Sequence, residues 1–241
     1  MNIYPVIENS VLNFDNLRKI YNAFGKFFGN ENIQSFEELV DLMEISADRD
    51  FDDYLLKMKA VSKSIYVKNI LGVEKLNELA KRYGIMEPVE FSCPVLHVAG
   101  KKLSKGNEGV PVHQDWPSTR GSLNSIIIWI SLGGADTGTG GLNFYCSPNN
   151  SRYLFDAEIA QHVVKITDPK LNSLDKKYLS INAGNAIIFD HFLPHDSQNG
   201  NARLSISVRV EDASEEEWKK RKYEYAHTTI ISRRDVINDV S

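Results

Sequence analysis

Apolar positions in the first third of the chain recur every three to four residues. Leu17, Ile20, Tyr21, Phe24 and Phe28 fall on one helical face, with Asn13-Phe14-Asp15-Asn16 as a cap and Gly29 as a stop. Ser35 followed by Glu38 has capping-box spacing ahead of Leu39, Leu42 and Met43. Helical periodicity continues over Asp53 to Val67 and Val73 to Tyr83. Near residue 88 the pattern changes. Phe91 to Val98, Ser125 to Leu132, Leu142 to Cys146, His162 to Ile166, Tyr178 to Ile181, Ala186 to Phe189 and Leu204 to Val210 read as strands, in a set of about eight. SIIIWISL at 125–132 lacks polar alternation and predicts a strand covered on both faces. Gly-, Asn- and Pro-rich breaks separate the strands: GGADTGTGG at 133–141, SPNN at 147–150 and NAGN at 182–185. Short strands without intervening helices predict a sandwich or barrel, not a doubly wound parallel sheet. A charged helix is expected from Ser214 to Tyr225. The expected architecture is mainly β with a helical N-terminal third, in a single domain over 1–241. Residues 1–88 form a helical flanking region, 89–212 the β core, and 213–241 a C-terminal helix and tail.

Composition narrows the function classes. With 241 residues, 42% hydrophobic and 25% charged, the chain can bury a substantial core and is not disordered. A net charge of −4 shows no basic excess, which argues against a nucleic-acid partner. Cys93 and Cys146 are too few for a disulfide framework or a structural zinc site, so two buried thiols in a reducing compartment are expected. The N-terminal segment lacks a basic region followed by an apolar stretch, and no run of 18 apolar residues occurs. The expectation is a cytoplasmic protein, monomer or homodimer, that acts on a small molecule and engages neither membrane nor nucleic acid.

Three groups of residues carry chemistry. In His113-Gln114-Asp115 an imidazole and a carboxylate stand two apart, so on a strand they share a face and can bind one ion. In GNAIIFD at 184–190 a glycine turn leads into an apolar strand, and His195 stands just past its end, 82 residues beyond His113. Two histidines and one carboxylate leave open coordination positions, the arrangement of non-haem Fe(II) oxygenases. In the third group, Arg203, Ser205, Ser207 and Arg209 share one face of a strand, while Leu204, Ile206, Val208 and Val210 share the other. Two arginines on a buried face call for an anion, and a guanidinium with a neighbouring hydroxyl suits a carboxylate.

HQDW at 113–116, SIIIWISL at 125–132, GGLNFYCSP at 140–148, GNAIIFDHFLPHDSQN at 184–199 and ARLSISVRV at 202–210 resemble the phytanoyl-CoA dioxygenase (PhyH)-like branch of the Fe(II)/2-oxoglutarate oxygenases over about residues 90–212. The resemblance implies a double-stranded β-helix (jelly-roll, cupin-like) core and a requirement for Fe(II), 2-oxoglutarate and O2. It assigns iron to His113, Asp115 and His195, and the co-substrate to Arg203, to which Ser205 on the same strand face would add a hydroxyl. Gln114, Trp129 and Ser197 are implied near the co-substrate. The family's PGSH-like turn is replaced by Ser147-Pro148-Asn149-Asn150-Ser151, so that histidine has no counterpart. The interval from His195 to Arg203 is short, which leaves Arg209 as a rival for the co-substrate; His191 rivals His195 for iron. Related halogenases lack the carboxylate ligand, so Asp115 points to hydroxylation.

For the substrate, Lys101, Lys102 and Lys105 before the first ligands and Arg120 after them could clamp an anion or form a solvated loop. Trp116 and Arg209 are further candidates to line the pocket. The preferred class is a small polar or anionic metabolite; the HQDW form resembles that of enzymes of sugar and surface-polysaccharide modification, which implies a sugar or surface-polysaccharide precursor as one such substrate. The alternatives are a metal-dependent cupin-type enzyme without 2-oxoglutarate, a non-catalytic jelly-roll binding protein, and a protein whose helical third serves mainly in oligomerisation.

Overall fold

The computed structural model describes residues 4–91, 94–104, 109–119, 122–135, 140–149, 151–160, 163–197, 201–216 and 218. A short strand, β1 (Val6–Glu8), precedes five helices: α1 (Phe14–Phe28), α2 (Phe36–Arg49), α3 (Phe51–Ser62), α4 (Ile65–Leu71) and α5 (Val73–Arg82). There follow β2 (Pro88–Glu90), β3 (Val95–Ala99), β4 (Val110–His113), the single turn α6 (Trp116–Thr119), β5 (Ser125–Gly133), β6 (Leu142–Cys146), β7 (Ala157–Ala160), β8 (Val163–Ile166), β9 (Asp175–Leu179), β10 (Ala186–Asp190), β11 (His195–Ser197) and β12 (Arg203–Asp212).

Local chemistry sets the helix ends. The Asn13 side chain accepts from the Asn16 backbone and Asn16 reciprocates, closing a capping box, and Gly29 ends α1 in the left-handed region at φ 90°. Ser35 Oγ accepts from Glu38 N at 3.2 Å. The stretch expected as one helix from Asp53 is two, because Ser64 caps a new start by accepting from Val67 N. Of the strand expected over Phe91 to Val98, only the second half is strand, as β3; β2 ends at Glu90, before it begins, and Pro94, which lacks an N–H, directly precedes β3. The strand expected at Tyr178 to Ile181 lies earlier, at β9, where Asp175 pairs with Cys146 and Leu179 with Leu142. Of the expected final helix only the first few residues lie within the described residues, as does Cys146 but not Cys93.

Among the described residues all sheet pairings are antiparallel. The larger sheet runs β1-β10-β5-β12-β2, with β3 also on β12; a second sheet runs β4-β11-β6-β9; β7 and β8 form a hairpin. β5 is buried along its whole length, as its sequence predicted. Its Ile126, Ile128, Ile130 and Leu132 join Leu204, Ile206, Val208 and Val210 of β12 in a core against α1 to α5. Its Ile127 and Trp129 face the other way and pack with Phe144, Ile187 and Phe189 in a second core that joins the larger sheet to β6. The strand period of two thus divides β5 and β12 into a helix-facing row and a row turned toward the second sheet. At Gly184, φ is +85° and an added Cβ would lie 2.4 Å from Leu12 O, so the turn before β10 requires glycine. Among the described residues no helix is long and apolar enough to cross a membrane.

Candidate metal centre

β4 and β11 pair so that His113 and His195 are direct cross-strand partners, with ring centroids 4.3 Å apart. Each ring is aimed by its own backbone. His113 Nδ1 donates to Pro111 O at 2.8 Å and His195 Nδ1 to Leu193 O at 3.0 Å. A carbonyl only accepts, so Nδ1 carries the proton and Nε2 is left as a lone-pair donor. This is the outer-shell arrangement that orients metal-binding imidazoles.

Asp115 lies beyond the end of β4, at the entry to α6. Its position comes from a turn rather than from strand alternation: Asp115 N and Trp116 N both donate to His191 O, and Ser118 N and Thr119 N to Asp115 O. Asp115 Oδ2 then lies 3.4 Å from His195 Nε2. The candidate donor atoms of His113, Asp115 and His195 all lie within 4.8 Å of one another, and they form the metal-competent cluster among the described residues. Burial alone would raise the Asp115 pKa, but the Arg209 guanidinium and the surrounding imidazoles hold it well below the usual carboxylate range. Burial pushes the His195 pKa down to about 3, with His113 beside it adding to the effect, so the ring is neutral and able to ligate.

A cavity opens on the three groups and is lined also by His97, Trp129, Ser197, Arg203, Ser207 and Arg209. Arg203 is 3% exposed; its Nη1 donates to Gly140 O and Gly141 O, its Cζ stands 5.7 Å from the Trp129 ring centroid, and its buried Nε has no partner. Desolvation lowers the Arg203 pKa to about 10. A buried cation with an orphaned donor has hydrogen-bonding capacity that an anion in the cavity could fill. Ser205 Oγ, two residues on, is also buried and unpartnered. It does not border the cavity; Ser207, the next serine on that face, does, and its Oγ lies 2.7 Å from His97 Nε2. Ser197 Oγ accepts from Val110 N at 3.1 Å.

Several expected residues have other duties. Gln114 does not reach the cavity: its Nε2 donates to Tyr153 O at 2.6 Å and Phe192 O at 2.5 Å, and its Oε1 accepts from Phe155 N at 3.1 Å. Its buried amide ties loop to loop, as a buried polar group must. Trp116 packs on Phe192 at 5.0 Å in a satellite cluster with Leu123, away from the cavity lining. Lys102 is drawn to the acids of α2, with Nζ 3.1 Å from Glu44 and 4.0 Å from Asp48. Arg120 and Lys105 lie outside the described residues. Arg209, the rival for the co-substrate, spends two donors on Asp115. His191, the rival ligand, is fully buried with Nε2 donating to Ile126 O at 3.1 Å and Nδ1 3.4 Å from Thr119 Oγ1.

His97 went unanticipated. It stands on β3 opposite Ser205, and burial lowers its pKa to about 3. Its signal in the sequence is only a histidine inside a short apolar strand, which by itself says nothing of what it faces. His191 is lowered to about 4, chiefly by burial. Both values lie below that of the unfolded chain, so between about pH 6.5 and pH 4 the unfolded state binds more protons and stability is lost as pH falls. Urea unfolding of the metal-free protein should show a midpoint that drops from neutral pH to about pH 5, with a shallower drop in His191→Gln. A midpoint that does not change over this range would contradict the buried neutral rings.

No protein-family model matches the chain, and no curated protein matches it by sequence. Solved structures match by fold. One is the epimerase SnoN in complex with Fe3+, alpha ketoglutarate and nogalamycin RO, with a TM-score of 0.53, 15% identity, and coverage of 87% of this chain and 79% of that one. AviO1 from Streptomyces viridochromogenes Tue57 matches with a TM-score of 0.53 and 16% identity over 87% of this chain and 90% of that one. EctD from S. alaskensis, with 2-oxoglutarate and 5-hydroxyectoine, matches with a TM-score of 0.55 and 11% identity over 87% and 72%. The chain thus shares its fold with a class that includes non-haem, alpha-ketoglutarate-dependent enzymes. At these identities the likeness is one of fold.

Proposed function

We propose that this chain is an Fe(II)- and 2-oxoglutarate-dependent oxygenase, with His113, Asp115 and His195 as iron ligands and Arg203 as the co-substrate arginine. The supporting observation is that one cavity has three convergent donors and, on its wall, a buried guanidinium with an unpartnered N–H. The donor set suits ferrous iron, and a dicarboxylate would supply the anion that Arg203 lacks. The two main sheets are then the halves of a double-stranded β-helix, in the PhyH-like branch that the motifs resemble.

Iron with 2-oxoglutarate bound would supply dioxygen activation, with succinate and carbon dioxide as co-products. The protein's contribution follows from its own groups. His113 and His195 present Nε2 because backbone carbonyls hold Nδ1–H. Asp115 supplies one negative charge. Arg203 orients the far carboxylate, with Trp129 beneath the guanidinium. Ile127, Leu142 and Phe189 wall the cavity and limit water. The presence of Asp115 supports hydroxylation as the outcome. The cavity's His97, Ser197 and Ser207 support a small polar metabolite, and with Lys102 and Arg209 engaged elsewhere, an anionic one would draw on other basic groups.

Anaerobic addition of Fe(II) and 2-oxoglutarate should give the weak visible charge-transfer band of the chelate, and a metabolite screen should then find substrate-dependent succinate release. A protein that binds Fe(II) but develops no band with 2-oxoglutarate would instead be a cupin-type metalloprotein.

A further inference from the structure

We propose that Arg209 is a positioning residue for Asp115: it holds Oδ1 and leaves Oδ2 alone to ligate metal. This inference rests on the reading of His113, Asp115 and His195 as a metal centre. It gives Arg209 a task distinct from binding co-substrate or substrate.

The geometry of the pair is the ground for it. A guanidinium normally meets a carboxylate as a fork, one N–H to each oxygen. Here both donors converge on one oxygen: Arg209 Nε lies 3.0 Å and Nη2 2.6 Å from Asp115 Oδ1. Oδ2 is the oxygen 3.4 Å from His195 Nε2. The carboxylate therefore offers the cluster one oxygen, and ligation through both would require breaking two charge-assisted bonds. A single-oxygen carboxylate keeps open the positions that a co-substrate and dioxygen need.

Both partners are held from behind. Arg209 sits on β12 opposite Ile127 of β5, in the middle of the larger sheet. The Asp115 backbone is pinned through His191 O. The side chains are largely enclosed, at 18% and 6% exposure, so the pair is weakly screened by solvent. Arg209 is thereby committed, and Arg203 is left as the cavity cation with a buried unpartnered donor among the described residues.

The test is a Co(II) titration of the full chain, followed by the visible d–d absorption, in the native sequence, Arg209→Gln and Arg209→Lys. Removing a group that hydrogen-bonds a metal ligand weakens metal binding by about 10- to 100-fold, and that is the loss expected for Arg209→Gln. The intensity and shape of the d–d bands should also change, since a freed Oδ1 alters the coordination number. Arg209→Lys, with charge but without a fork, should fall between. A merely structural role would lower the unfolding midpoint of the metal-free protein without moving the spectrum of the cobalt form. If Arg209→Gln does not fold, the comparison of Arg209→Lys with the native sequence decides. Native affinity and native bands in a folded variant overturn the proposal and leave the metal centre standing. A native protein that binds no Co(II) overturns both.

Discussion

Asp115→Ala is expected to take Fe(II)-dependent succinate release to background and, separately, to destabilise the metal-free protein. The first effect follows from removing the only anionic donor of the cluster. The second follows from Arg209, which loses the carboxylate that neutralises it inside the molecule. Deleting one partner of a buried ion pair costs about 3–5 kcal/mol, and partial exposure of Arg209 places this one toward the lower end. The two effects separate in a double variant. Asp115→Ala with Arg209→Met replaces the stranded cation by an apolar chain of similar length, so stability should return while activity does not. Urea unfolding and a succinate assay on the same preparations check both. Succinate release at the native rate from Asp115→Ala would remove this residue from the metal set.

Arg203→Met carries the second large effect. The loss of a buried, hydrogen-bonded charge partner costs a ligand about 2–5 kcal/mol, or roughly 30- to several-thousand-fold in affinity. Titration of 2-oxoglutarate against the charge-transfer band should show that loss, with Fe(II) or Co(II) affinity near native, because Arg203 touches none of the three donors. Stability should change little. Methionine gives up two bonds to the Gly140 and Gly141 carbonyls but also removes a desolvated cation whose Nε has no partner. If Arg209 bound the co-substrate instead, Arg203→Met would leave the titration unchanged.

Covalent neighbours alone determined much of this. The Asn13 and Ser35 caps, the stop at Gly29 and the doubly buried β5 depend on side chains a few residues apart, so spacing reveals them. The approach of His113 to His195 was legible for another reason: the flanking strands and turns carry family-like patterns over a long stretch of chain.

Tertiary contact decided the rest. Gln114, Trp116 and Lys102 sit beside the motif in sequence, yet a loop, a satellite cluster and helix α2 claim them. Ser205 and Ser207 share a face of β12, yet only Ser207 borders the cavity. His97 enters because β3 lies along β12, and Arg209 takes Asp115 across 94 positions of sequence. Local order is set by short-range sterics and hydrogen bonds that a sequence displays. The partner of a buried charge is set by which strands happen to pair, and pairing between distant segments minimises energy over the whole molecule rather than over any segment of it.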